Sequence, residues 1–223
     1  MTQEPTPTRF TAVTSNPLAQ PPGAGFLFTY RNALPVVCAA LLSVFAVLQL
    51  LVPKLRVPVS DWELCLGGAF VLLGVMLRIW CILQIGGSAR KTSKPKANRI
   101  ISWGPYSLTR NPIYIANMSV VWGFSLLVAG IWALPFIALA LWLWYEAVVR
   151  REELFLLTIH PGDYEAYKKV ANRWIPRFRY RGRPEDVPPY PFLRACRRER
   201  GHIIAVSLGG AAVLAFRLLL RIG

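Results

Sequence analysis

Two groups of polar residues stand out in a chain that is otherwise strongly apolar. The first occupies 103–114, WGPYSLTRNPIY. Gly104-Pro105 sets a tight turn there, and Tyr106 follows it with an aromatic ring. Asn111-Pro112 then has the form of a helix start, because Asn is a good N-cap and Pro suits the first helical position. A helix N-terminus offers free N–H donors and the positive end of a dipole, which favour a carboxylate or a phosphate. Arg110, beside that end, adds a guanidinium fork. The second group is Glu146, Arg150, Arg151, Glu152 and Glu153, where the fourth apolar run gives way to polar sequence. At helical spacing Glu146, Arg150 and Glu153 share a face, while Glu152 lines up with Tyr145 and Val148. A carboxylate pair near an arginine-bearing helix mouth suits a zwitterion, with its ammonium on the acids and its carboxylate on the basic end. An amino-acid-like cofactor fits that pairing. The plainer alternative is interfacial punctuation beside an ordinary charged helix end.

The elements that must position these groups are membrane helices. Of 223 residues, 54% are hydrophobic and 17% charged, with a mean hydropathy of +0.40, which is too apolar for an ordinary soluble domain. Apolar runs at 34–52, 64–85, 113–128, 131–149 and 202–220 predict an all-α, polytopic helical bundle of about five spans. Only Ala129-Gly130 separates the third run from the fourth, so these two form a tight antiparallel hairpin. Pro135 falls near the start of the fourth helix, where proline is tolerated, and that helix has the sequence to continue through Leu157. Trp142, Trp144 and Tyr145 are candidates for an interfacial aromatic belt. Arg78, inside the second run, faces a partner or cavity or else snorkels to the interface. The last run is the weakest and is compatible with a re-entrant or surface helix.

Charge orders the topology. The net charge of +15 and the pI near 10.4 do not indicate nucleic acid, because the basic residues sit between apolar runs. The 86–111 loop and the 150–201 segment together hold nineteen of the 26 Lys and Arg. By the positive-inside rule that side is cytoplasmic, together with a Pro- and Thr-rich tail at 1–32 that reads as flexible. The membrane is then a plasma or inner membrane in a bacterium and the endoplasmic reticulum in a eukaryote. The rest of the chain, 33–223, reads as one domain with a cofactor-binding core at about 74–176. Cys38, Cys65, Cys81 and Cys196 have no metal-ligand or disulfide spacing and read as small buried hydrophobes. No metal site is expected, and no nucleotide-binding glycine motif or H-E-x-x-H occurs.

Gly104-Pro105-Tyr106, then Arg110-Asn111-Pro112-Ile113-Tyr114, Glu152-Glu153, the run at 164–169 (YEAYKK) and Ile175-Pro176 follow one another in a recognisable order. In this the chain resembles the superfamily of isoprenylcysteine carboxyl methyltransferases and phospholipid methyltransferases, which are integral membrane enzymes. The resemblance implies S-adenosylmethionine as the cofactor. It implies that Asn98, Arg99, Ile100 and Ile101 line the nucleoside. Tyr106 and the turn of Asn111, Pro112, Ile113 and Tyr114 would contact the cofactor, and Glu152 would bind its ammonium, a task Glu153 could share. From physical reasoning Arg110 belongs beside the cofactor carboxylate, and Glu146 is a candidate for orienting the substrate. Two positions depart from the pattern. The family usually has His where this chain has Asn111, which keeps a capping, hydrogen-bonding side chain but removes an imidazole. The prenylcysteine enzymes carry a substrate-directed Arg one turn before the position of Glu152, where this chain has Val148. The expected partner is a membrane lipid or lipid-modified acceptor, with a prenylated protein tail, a phospholipid amine, a quinone-like lipid and a small thiol all open. Two other classes stand beside this one. Sterol and steroid reductases have a similar Gly-x-Tyr…Pro-x-Tyr pattern and use NADPH, and a non-catalytic membrane protein could retain the fold.

Overall fold

The computed structural model describes residues 30–86, 100–185, 187 and 189–222. Residues 1–29 of the expected 1–32 tail and residues 87–99 of the basic 86–111 loop, Asn98 and Arg99 among them, lie outside the described residues. The chain is an all-α polytopic membrane protein. Among the described residues seven α-helices carry it: α1 (Ala33–Leu51), α2 (Asp61–Ile85), α3 (Pro105–Leu108), α4 (Pro112–Ala129), α5 (Leu134–Ile159), α6 (Pro161–Val170) and α7 (Phe192–Ile222). Five of these, α1, α2, α4, α5 and α7, are long and apolar enough to cross a membrane. Among the described residues the sole β-type pairing is an isolated bridge between Thr109 and Asn172.

α4 is the central helix. In its spanning window 67% of residues are buried, against at most 22% in any other span, so the other helices shield it from lipid. Its closest neighbour is α2, and small residues explain the approach. A Cβ added at Gly74 would lie 2.8 Å from the Ala116 carbonyl, and one at Gly123 would lie 2.6 Å from the Gly67 carbonyl. Gly67, Val71 and Gly74 on α2 therefore mesh with Ala116, Val120 and Gly123 on α4. Small residues at helical spacing let backbones touch where the hydrophobic effect gives no drive for association. Ser119 adds a 2.8 Å hydrogen bond to the Phe70 carbonyl.

The end of the bundle away from the candidate site is closed by polar side chains that satisfy helix termini. Ser60 and Glu63 form a capping box at the start of α2, and Glu63 also accepts the Ile131 N–H at 2.7 Å. This locks the hairpin turn, where Gly130 has a φ of 70°. The last carbonyls of α4 are taken by Arg217, at 2.8 Å from Leu127 O, and by Gln49, at 3.1 Å from Val128 O. Without water in the bilayer core, such groups need protein partners.

Several sequence expectations change here. α7 begins at Phe192, about ten residues before the apolar run, so Arg194, Arg197, Arg198, Glu199 and Arg200 belong to a helix and not to the preceding loop. Tyr145 is not part of an interfacial belt; it is fully buried, and its hydroxyl accepts from Asn117 at 3.2 Å. Arg78 reaches inward, donating to Glu199 at 2.6 Å and to the Asn117 side-chain oxygen. A guanidinium inside the bundle is tolerated because α7 supplies its counter-charge. Cys38 and Cys81 are buried, whereas Cys65 is exposed on the bundle surface.

Candidate functional site

The site forms where α4 starts and α5 leaves the apolar zone. Gly104, at φ 62°, opens α3, and a Cβ there would sit 2.6 Å from the Gln84 side chain, so a glycine is required on both counts. Pro105 and Pro112 occupy the first turns of α3 and α4, where their missing N–H groups cost nothing. α5 continues without a break from Leu134 to Ile159. Glu146, Glu152 and Glu153 are thereby carried on one rigid rod.

The two adjacent acids point to different partners. Glu152 is half-buried and accepts the Tyr114 hydroxyl at 2.6 Å. The Tyr114 ring packs against Tyr145 with centroids 4.6 Å apart, which fixes the phenol that holds Glu152. Glu153 is buried and takes two guanidinium groups. Arg110 approaches its Oε1 at 2.9 Å, and Arg173 reaches its Oε2 at 2.7 Å. Arg110 also donates to the Ala171 carbonyl at 2.7 Å. Arg173 extends along two turns of α5 to Glu146 at 2.5 Å. Glu146 also accepts from Arg150 at 2.7 Å and from the Trp174 indole at 2.7 Å. The face shared by Glu146, Arg150 and Glu153 is thus an ion-pair rail that holds the segment after α6.

That segment, 171–183, lies as an extended strap along the 103–114 stretch. Arg110 N–H donates to Asn172 O at 2.8 Å, Arg177 N–H to Leu108 O at 2.8 Å, and Gly104 N–H to Arg181 O at 2.8 Å. Thr109 Oγ1 and Asn111 Nδ2 both donate to the Arg173 carbonyl, at 2.8 and 3.2 Å. Asn111 holds the N-cap position of α4 but makes no side-chain cap; its Nδ2 donates to the strap.

Three tyrosines close the side facing α6. Tyr167 donates to the Tyr106 carbonyl at 2.6 Å. Burial raises the Tyr106 phenol well above its ordinary pKa, and it does the same for Tyr164 and Tyr167. All three are therefore neutral at physiological pH. The Glu153 hydrogen bond holds the Arg173 guanidinium above its ordinary value, partly opposed by burial. Ile100 packs against the Tyr164–Tyr167–Ala171 cluster, and Ile101 is half-buried beside it in sequence.

Of the residues predicted from sequence, Tyr106, Arg110, Asn111, Pro112, Ile113, Tyr114, Glu146, Glu152 and Glu153 are brought to this end of the bundle on α3, the turn between α3 and α4, α4 and α5. Arg110, Glu146 and Glu153 are engaged in holding one another and the strap, whereas Glu152 faces Tyr114. Sequence reasoning missed Arg173 and Trp174, whose only signal was their place just before the quoted Ile175-Pro176. Val148 is fully buried in the cluster that contains Tyr114 and Tyr145, so no guanidinium issues from that position. Among the described residues no group of His, Cys, Asp and Glu is arranged to hold a metal ion.

Residues 62–162, the segment that carries α2, α3, α4, α5 and thus both site groups, match the phospholipid methyltransferase family. A protein-S-isoprenylcysteine O-methyltransferase of Schizosaccharomyces pombe is 26% identical over 48% of this chain and 47% of its own length. Over this segment the chain is similar to the membrane methyltransferases that these two comparisons represent. It is also similar to proteins named for metal resistance. One is a cobalt-zinc-cadmium resistance protein of Cupriavidus metallidurans, 34% identical over 56% of this chain and 54% of its own length. Another is a nickel-cobalt-cadmium resistance protein of Alcaligenes xylosoxydans, 30% identical over 53% of this chain and 55% of its own length. The chain thus spans about half the length of the curated relatives it matches. No solved structure matches the chain significantly.

Proposed function

We propose that the protein is an integral membrane methyltransferase that uses S-adenosylmethionine to methylate a lipophilic or membrane-associated acceptor. The observation that carries this reading is the Tyr114–Glu152 pair, 2.6 Å apart, at the mouth of α4 within the family-matched segment. We assign the ligand ammonium to Glu152, which is held by the Tyr114 hydroxyl, because Glu153 is occupied by Arg110 and Arg173. The residues present suit the donor set of a methionine zwitterion: a carboxylate for its ammonium, a helix N-terminus for its carboxylate and buried aromatic and aliphatic walls for its adenosine. Tyr106, Asn111, Pro112, Ile113 and Tyr114 would form the wall at α3 and α4, and Ile100 and Ile101 the nucleoside side. Arg110 contributes positive potential there through its place beside Asn111. When bound, the cofactor supplies an electrophilic methyl group already activated by a sulfonium.

The chain's own task is then alignment and exclusion of water, so proximity carries much of the rate. Glu152 and Tyr114 fix the cofactor end of the site. The rail of Glu146, Arg173 and Glu153 fixes the strap that covers it, which makes Glu146 a positioning residue. A carboxylate acceptor needs no base, whereas an amine or alcohol must lose a proton to a nearby group. The acceptor reaches the site laterally from the bilayer and the cofactor enters from the basic, cytoplasmic side.

Two measurements test this. Purified protein in detergent is titrated with S-adenosylmethionine and, separately, with NADPH; binding of NADPH alone would move the protein to the reductase class, and binding of neither to a non-catalytic role. Tritiated methyl donor incubated with host membranes, followed by separation of lipid from protein, then identifies the acceptor class.

A further inference from the structure

The strap at 171–183 does more than cover the site. We infer that its outer face is a membrane-surface sensor that inserts into the headgroup layer of an anionic leaflet, at the end of the bundle carrying Glu152. From Ile175 to Tyr180 every side chain is exposed. Ile175 is 74% exposed and Phe178 is 96% exposed, an arrangement that costs free energy in water. Arginines alternate with these apolar groups at 177, 179 and 181, and the stretch 166–184 contains no acid. Aromatic and aliphatic side chains interleaved with guanidinium groups are the composition of an interfacial segment facing anionic lipid.

Depth within the fold supports the same partner. Tyr180 stacks on Trp80 at 6.4 Å between ring centroids. Trp80 lies five residues before the end of α2 at Ile85, or about 7.5 Å inside that helix end at 1.5 Å per residue. Arg183 is tied to the same turns through Gln84 at 3.2 Å and the Leu83 carbonyl. The strap therefore lies level with the last turns of a spanning helix, at headgroup depth, and not out in solvent.

The inner face of the same strap is hydrogen-bonded to Gly104, Leu108, Arg110 and Asn111. Lipid charge on one face is thereby coupled to the geometry of the α4 mouth on the other. This assignment stands on the strap's own exposure, charge and depth and does not depend on methyl transfer.

The test places a probe on the strap in the full chain. Phe178→Cys is made with Cys65→Ser and Cys196→Ser, labelled with an environment-sensitive fluorophore, and placed in nanodiscs containing headgroup-level spin-labelled lipid. Ala166→Cys on α6, also exposed, is the comparison site. The expected result is quenching at 178 several-fold above that at 166. It should rise with the fraction of anionic lipid and fall when Arg177, Arg179 and Arg181 are all changed to Gln, each guanidinium contributing about fivefold to the preference for anionic lipid. Position 178 is open, so the label does not threaten folding, and size-exclusion elution verifies this. Equal quenching at the two sites overturns the inference. So does a 178 label shielded from both spin-labelled lipid and aqueous iodide, which would mean a protein partner. Insertion that ignores lipid charge and the triple substitution overturns the anionic-surface assignment.

Discussion

The Tyr114 hydroxyl donates to Glu152 across 2.6 Å, joining the first turn of α4 to the far end of α5. The bond holds a half-buried carboxylate in one orientation at the helix mouth. A hydrogen bond to a charged group is worth about 1.5–3 kcal/mol, so Tyr114→Phe should weaken S-adenosylmethionine binding about tenfold or more while leaving the fold intact. Glu152→Gln removes the counter-charge itself and should abolish binding. Calorimetry in detergent, with thermal unfolding as the fold control, reads both; unchanged affinity in both variants would sink the assignment of this pair.

Arg173 carries a different kind of burden. It spans Glu146 and Glu153, and Arg173→Ala would remove the bridge between them, leaving Glu153 to Arg110 alone and Glu146 to the exposed Arg150 and Trp174. Breaking such a pair costs about 3–5 kcal/mol when fully buried, and Arg173 is 30% exposed, so a loss of about 2 kcal/mol is the discounted expectation. Arg173→Lys should recover little of it, because a single ammonium cannot bridge two turns of α5. Limited proteolysis of the strap should accelerate in step with the fall in melting temperature.

Packing between α2 and α4 gives a sharper stability test. Gly123→Ala would drive a methyl to 2.6 Å from the Gly67 carbonyl and 2.8 Å from the Val71 nitrogen, both of them backbone atoms that cannot turn aside. The two central helices must separate, at about 1–3 kcal/mol or more. Gly68→Ala, which meets nothing within 4 Å, should leave the melting temperature in detergent almost unchanged. If both variants melt alike, the close approach of α2 and α4 is wrong.

The pairing of Arg78 with Glu199 calls for a double-mutant cycle. Arg78→Met alone leaves the Glu199 carboxylate buried without its partner, and the cost should exceed that of Arg78→Met combined with Glu199→Gln. A coupling near zero would show that α7 does not dock through this pair.

Much of the architecture was legible because membrane helices announce themselves by length and apolarity. The five spans, the hairpin at Gly130 and the extension of α5 through Leu157 all follow from that signal. That Tyr114 and Glu152 fall at one end of the bundle was legible, since a helix mouth and a charged helix end have recognisable residue types; the hydrogen bond between them was not. Long-range polar pairing was not. Nothing local links Arg78 to Glu199, 121 residues away, and the arginine-rich start of α7 resembles a basic loop until the helix supplies that counter-charge. Tyr145 looked interfacial because a Trp and Tyr cluster near a span end usually is. Here Asn117 on the facing helix offers its hydroxyl a partner and draws it inside. Asn111 likewise had the type of a cap, but its side chain makes none, and its Nδ2 donates to a strap from later in the chain.

The sheathing of α4 decides how the bilayer can act on this protein. A helix with so little lipid contact cannot respond directly to changes in hydrocarbon thickness, which tilt only those segments whose sides are solvated by acyl chains. Thickness will act first on α1, α2, α5 and α7, and Tyr114 will move only as far as these outer helices shift against an inner post. Because α2 is keyed to that post by backbone contact while α5 meets it through larger side chains, the distance between Tyr114 and Glu152 is the coordinate most exposed to the host membrane.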